Sequence, residues 1–280
     1  MIGVSFGRIP QTDIATTGGT YESRWGGINA ALPVYRSFNP LADERSFQQI
    51  SLTGSLHRNT TDFSLLAEPR VITSGWLGGS WFYIGEAKNF YMVSGNIGFA
   101  EDKLIVGSAA VRLHLTALGS YHLSNPVLLM YGAAYSALFG RDLLMPLVGL
   151  RWRMGDDWSG AVMIPLSFMM RYKANDILSF QFALSAAGDH MRVANRNDFA
   201  GYSSTLQMRM TGIKIAIRSA VRLSDAIGLH VEIGSIAGRT VSILSGSTVV
   251  SKNRVDTSRF FSLGIGYRFS RDDSAPSDED

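Results

Sequence analysis

The chain has 280 residues, no cysteine, 29 glycines, 11% aromatic and only 18% charged residues, and a formal net charge of +3. Without cysteine there are no disulfides, thiolate metal sites or cysteine nucleophiles; with lysines and arginines scattered singly rather than in runs, no nucleic-acid partner is expected. No stretch approaches the ~18 to 20 uninterrupted apolar residues of a membrane helix, so this composition points to an all-β chain with an unusually apolar exterior.

The first segment, "IGVSF", sets Ile2, Val4 and Phe6 against Gly3 and Ser5, the alternation of a strand with one apolar face. Met1 leads straight into it with no basic n-region or cleavage site, so an exported chain of this kind reads as mature or truncated. The pattern recurs. "ISLTGSLH" opposes Ile50, Leu52 and Leu56 to Ser51, Thr53, Ser55 and His57, and "YMVSGNIGF" opposes Tyr91, Val93, Ile97 and Phe99 to Met92, Ser94, Asn96 and Gly98. "AVRLHLTAL" sets Val111, Leu113 and Leu115 against Arg112, His114 and Thr116. Residues 143–170 are apolar on both faces and contain Pro146 and Pro165; each proline marks a bulge, a strand end or a gap, with ordinary packing or a lateral opening as the alternatives. "LSFQFALSA" and "IKIAIRSAVRL" resume the alternation, and "SRFFSLGIGYRF" ends it with Phe261, Leu263, Ile265, Tyr267 and Phe269 on one face.

Short turns at Ala87–Asn89, Ser124–Pro126, Gly155–Asp157, Ala174–Asp176 and Ser224–Ala226 alternate with longer polar connections at Pro10–Gly19, Asn59–Pro69, Asp189–Phe199 and Leu244–Asp256. Taking Pro165–Ser167 as a tight turn on the long-loop side gives about fourteen strands, or about twelve if the segments of 158–173 merge. A soluble sandwich would carry Lys, Glu, Thr and Asp on its outer faces. Here the non-apolar face is mainly Gly, Ser, Ala, Asn and Gln with spaced Arg, which suits a lumen, while Leu, Ile, Phe and Val suit lipid. The expected fold is an antiparallel transmembrane β-barrel over residues 1–269, with short periplasmic turns, longer extracellular loops, both termini periplasmic and the last strand closed on the first. Residues 270–280 read as an acidic, disordered periplasmic tail.

Two stretches resemble known families. The terminal strand Phe261 to Phe269, apolar at alternate positions and ending in an aromatic, resembles the C-terminal signal read by the bacterial barrel-assembly machinery, although eleven residues follow Phe269. Residues Leu128 to Ser185, with "YSALFG", "MPLVGLRW", "GDDW", Pro165 and "RYKANDILS" in order, resemble a family of bacterial outer-membrane β-barrels catalogued only as a domain of unknown function, with a looser fit from Tyr202 to Arg239. The resemblance implies the bacterial outer membrane, its lipids and its assembly machinery as surroundings, and assigns no catalytic residue.

If Ile213, Ile215, Ile217 and Val221 face lipid, Lys214, Arg218 and Arg222 line the lumen, and Arg218 comes opposite Glu232 across the Ser224–Ala226 turn as a cross-strand ion pair. Arg112, His114, Arg151, Arg153 and Arg209 are expected to face inward too, with Arg171 and Arg268, against few inward acids. Such a lumen favours small anionic solutes, unless these arginines pair with loop acids or snorkel to the rims. The leading expectation is a passive pore or small-molecule uptake channel. The alternatives are a lipid hydrolase using Ser55 and His57, with Asn59 in phase, and a plugged structural or adhesion barrel. Ser55 and His57 stand roughly 7 Å apart along one strand, too far for a nucleophile and its base. The five histidines are dispersed, so neither metal nor cofactor is expected, and Asp156–Asp157 reads as turn chemistry.

Overall fold

The computed structural model describes residues 1–39, 46–85, 89–102, 111–124, 126–136, 143–196 and 198–268. Its strands are β1 (Ile2–Asp13), β2 (Thr20–Asn39), β3 (Ser46–Phe63), β4 (Arg70–Ile84), β5 (Phe90–Glu101), β6 (Arg112–Ser124), β7 (Val127–Ser136) and β8 (Leu143–Met154). They continue as β9 (Trp158–Ile164), β10 (Ser167–Lys173), β11 (Leu178–Ala194), β12 (Thr205–Arg222), β13 (Ile227–Ser245), β14 (Thr248–Val255) and β15 (Ser258–Tyr267). From β1 to β13 each strand pairs antiparallel with the next. The long β13 pairs with β15 along Ile227–Ile236 and with β14 along Arg239–Ser245, so β14 and β15 are successive pieces of one wall position. β15 then pairs with β1, from Ile2↔Tyr267 to Arg8↔Phe261, and closes a fourteen-strand barrel. Closure satisfies every ladder group that an open edge would leave bare in lipid.

The period-2 pattern decides which face looks out. Leu77 (68% exposed), Ile28, Ile97, Ile217 and Ile233 stand on the outer surface of their strands, where water would penalise them and lipid does not. Their neighbours Trp76, Asn29, Asn96, Arg218 and Glu232 point inward. The prolines sit where a ladder N–H is dispensable. Pro33 is at the register shift of β2 against β3, Pro146 lies in the part of β8 above its first β9 partner, Val148, and Pro165 forms the tight β9–β10 turn, after a cis Ile164–Pro165 peptide.

The expected long polar connections are mostly strand instead. β1 runs to Asp13, β3 to Phe63 and β11 to Ala194, and β13 and β14 are joined only by Gly246–Ser247. Alternation continues there, but the outward residues are polar and meet water. Sequence polarity therefore rises without any loss of extended structure, because there the apolar residues, such as Phe63, Val193 and Val241, face inward.

These extensions build a second ring. β6–β10 stop lower, while the top of β11 crosses to the end of β5, where Arg192 pairs with Glu101. The Asp102 amide donates to the Arg192 carbonyl at 3.2 Å, and the Asp102 carboxylate accepts the Ala194 N–H at 3.0 and 3.1 Å. The upper parts of β1–β5 and β11–β14 thus form a smaller closed cap. Its interior is dry: Phe63, Leu206, Met208, Val241 and Ile243 are completely buried, with Tyr21, Ile72, Met191 and Val193 against them. Gly238, at φ +59°, is the bulge that makes this possible. Below it Glu232, Gly234 and Ile236 face inward; above it Arg239, Val241 and Ile243 do. The buried Arg70 of β4 ties the β11–β12 loop down, through an ion pair with Asp198 and a 4.0 Å approach to Asp102.

Candidate functional site

The inner wall of the main barrel carries its charges in rows set by strand register. One row across the wall reads Arg153 (β8), Ser159 (β9), Arg171 (β10), Gln181 (β11), Arg218 (β12), Glu232 (β13) and Ser262 (β15). Arg151 lies one inward position above it, and Lys214 two above it. Glu232 is nearly buried and accepts both Arg218 Nη2 at 2.8 Å and Lys214 Nζ at 2.5 Å. The expected cross-strand pair is therefore present, and a second cation shares its carboxylate. Lys214 also sits 4.9 Å from the ring centroid of Phe260, beneath the cap. Arg171 Nη2 reaches only the Ser179 hydroxyl, at 3.4 Å, and Arg151 and Arg153 have no carboxylate partner among the described residues. Among the described residues in and just above this row, one carboxylate is thus shared between two bases.

Arg222 is exposed at the short-turn end, where it lines a mouth cavity of about 410 Å³ with Arg171, Arg218, His230 and Arg268. Asp176 lies on the turn beside it. The hydrogen bond from Lys173, 2.5 Å away, holds its carboxyl below the usual carboxylate range.

Arg112 and His114 form a separate constellation under the edge of the cap. Arg112 is 7% exposed, donates from Nη1 to Asp189 Oδ1 at 2.5 Å and lies 5.7 Å from the Trp76 ring centroid. His114 Nδ1 and Ser136 Oγ are 2.8 Å apart, and its Nε2 is 3.3 Å from Thr116 Oγ1, so the ring is held from both sides. With Ser74, Asn96 and Gly188, these groups surround a cavity of about 430 Å³.

Arg209 is the correction. Register places it on the face of β12 opposite Met208 and Met210, beside His190 of β11 and Ser242 of β13, so it faces away from the interior. Parity explains this: Lys214, Arg218 and Arg222 are inward at even positions, and β12 keeps that parity through Met210, Met208 and Leu206. Ser55 and His57 do share the inner face of β3, but among the described residues no hydrogen bond joins them, and Asn59 Oδ1 instead accepts Ser23 Oγ at 2.7 Å and Thr61 Oγ1 at 3.3 Å. Phe269 and the acidic tail lie outside the described residues.

Sequence reasoning missed Trp76, Gly98 and Asp189. Trp76 (β4), Gly98 (β5) and Arg112 (β6) are one cross-strand row, and a Cβ on Gly98 would come within 2.5 Å of the Trp76 indole. The glycine is what lets the indole lie across β5 toward Arg112. The three are far apart in sequence, so only register reveals the row.

The fold is shared with solved outer-membrane barrels. The COG4313 outer membrane channel of Pseudomonas putida F1 is similar at a TM-score of 0.50, with 13% identity over 95% of this chain and 94% of that one. The β domain of the Bordetella autotransporter BrkA (TM-score 0.35, 13% identity, 96% and 98% coverage) and the deltaS2S3 mutant of the monoaromatic hydrocarbon channel TodX (TM-score 0.36, 10% identity, 96% and 89%) are more distant. No curated protein matches the chain by sequence. A family model does match, across residues 93–268, well over half of the chain and including the β7–β11 segment whose motifs carried the resemblance: the chain belongs to the family described as Domain of unknown function (DUF6268).

Proposed function

We propose that this barrel resides in the bacterial outer membrane and acts as a passive uptake channel that favours small anionic solutes. The supporting observation is the cation excess of the inner wall: Arg151, Arg153 and Arg171 stand without carboxylate partners among the described residues, while the Glu232 carboxylate is shared by Arg218 and Lys214. Guanidinium groups spaced around a water-filled wall lower the barrier to anions and raise it to cations. The similar barrel of Pseudomonas putida is an outer membrane channel, and the family resemblance points to the same membrane. The dry cap fills the axis on the β1–β5 and β11–β14 side, so the solute path runs from the mouth at Arg222 along β6–β10 to the Arg112 cavity. In this reading β15, Phe261 to Tyr267, is the segment offered to the barrel-assembly machinery, and the apolar belt meets outer-membrane lipids.

The test is single-channel recording of the purified chain in a planar bilayer under a KCl gradient. Stepwise conductance with a reversal potential on the chloride side is expected, moving toward potassium in Arg153→Ala/Arg171→Ala. A second reading, a plugged scaffold, is favoured by the buried cap core. Silence from protein shown to be folded and inserted would establish it in place of the channel.

A further inference from the structure

We propose that the cavity beside Arg112 is a binding site for a small, hydroxylated organic monocarboxylate. The inference deepens the channel reading by naming a solute class, and it rests on that reading only for how the solute arrives.

The guanidinium carries the argument. Among the described residues, Arg112 is engaged through Nη1 alone, by Asp189. Nε and Nη2 are buried and have no hydrogen-bond partner among the described residues. These two N–H groups lie on the same side of the planar group and form its lateral fork, the geometry that accepts both oxygens of a carboxylate. A buried fork left empty costs the desolvation of two charged donors, a cost that a ligand carboxylate would offset. The surroundings are built around it. The Trp76 indole covers the guanidinium from across Gly98, Asp189 fixes its other end, and His114 is clamped between Ser136 and Thr116.

The lining selects among anions. Among the described residues Arg112 is its one permanent cation, and Asp189 is already beside it, so a dianion such as sulfate would leave its second charge facing a carboxylate. Asn96 accepts Thr53 Oγ1 at 3.0 Å through Oδ1, which leaves its amide N–H groups for a ligand, and Ser74 adds a hydroxyl to the same wall. These groups match hydroxyls on the ligand body, and Trp76 offers a flat apolar surface for its carbon chain. The about 430 Å³ of space holds a ligand of sugar-acid size. Both fork atoms are covered in this structure, so entry of the carboxylate requires the indole or the guanidinium to shift. Binding is therefore expected to change tryptophan emission.

The experiment titrates the full chain in detergent with D-gluconate, with glucose and sulfate as comparisons, by calorimetry and tryptophan fluorescence; bilayer conductance is recorded on the same preparation. Saturable gluconate binding is expected, with glucose and sulfate at least ~10-fold weaker, the ratio one charge-assisted bidentate contact supplies. Arg112→Lys keeps the charge beside Asp189 but removes the fork, and is expected to lose gluconate at least ~10-fold while remaining folded. Gly98→Ala, whose Cβ would press on both the indole and the Gly75 carbonyl, is expected to weaken binding as well. Equal affinity for glucose, full binding by Arg112→Lys, or no saturable binding by folded wild type would each overturn the site. Conductance with no gluconate binding leaves the channel standing and removes the site; gluconate binding without conductance does the reverse.

Discussion

The cap and the main barrel are made by the same strands, yet their interiors follow opposite rules. Within the cap, inward positions are Leu206, Met208, Val241, Ile243 and Phe63, all at 0% exposure. One or two turns of pleat lower, the inward positions on the same strands are Lys214, Arg218 and Glu232. The outer faces invert in step, polar around the cap and apolar around the barrel. What changes is the solvent outside: where lipid takes the apolar side chains, the interior is left to polar groups, and where water surrounds the wall the interior becomes an ordinary protein core. β11 and β12 pass from one environment to the other with the same face inward, and only the character of the residues changes, whereas two wall positions also exchange their faces. β13 does so at Gly238, and the β14–β15 position does so at the Asp256–Thr257 break.

The comparison is broken most directly at Arg70. Arg70→Met leaves Asp198 and Asp102 buried without their cation and is expected to cost the cap ~3–5 kcal/mol. Hydrogen exchange should rise in the β11–β12 hairpin, including residues 203–208, and stay unchanged in β8–β10; a uniform response would mean that cap and barrel unfold as one. A cavity in the dry core comes next. Leu206→Ala or Met208→Ala is expected to lose ~2–5 kcal/mol, whereas Ser185→Ala on the inner wall below should change urea unfolding by no more than ~0.5 kcal/mol. Similar losses at the two depths would erase the distinction between core and lumen. Gly238→Val tests the exchange point, since a branched residue at φ +59° is expected to cost ~1–2 kcal/mol.

The smallest effect is expected outside the walls, at Glu22, where the hydrogen bond from Arg24 foremost, with the nearby Arg8, holds the carboxyl below its usual range. A carboxylate with a lowered folded-state pKa contributes stability above its unfolded value of 4.5, and that contribution disappears as pH falls through the folded value. Glu22→Gln should therefore alter stability by less than ~1 kcal/mol at neutral pH and by nothing in acid.

The alternation that made the barrel legible is strongest where one face meets lipid, as in Ile213, Ile215 and Ile217 against Lys214 and Arg218. Closure of β15 on β1 and the pairing of Arg218 with Glu232 followed from it, while the tight turn at Pro165 was read from the proline and the count of turns. The cap did not, because Asp189–Ala194 and Leu244–Val255 mix polar outer residues with apolar inner ones and read as loops when polarity is averaged. Arg209 was misplaced for a related reason: its neighbours Gln207 and Met208 give no contrast of faces, and only the parity of β12 settles its direction. Arg112 was read as inward from its own strand, but its row with Trp76 and Gly98 was out of reach, since each belongs to a different strand and the row exists only once register is fixed.

The seam between β1 and β15 has a consequence for how the molecule is made. On the edge turned away from β2, residues 2–8 pair with residues 261–267, so throughout synthesis and delivery the sheet is an unfinished ribbon with two bare edges. Such a ribbon cannot stay in hydrocarbon by itself, because both edges expose amides and carbonyls. The bridge from β5 to β11 needs nothing beyond the end of β11 and can fasten earlier. Insertion is thus an event of the last strand, and a chain halted before β15 would have to be held by a chaperone outside the membrane or destroyed.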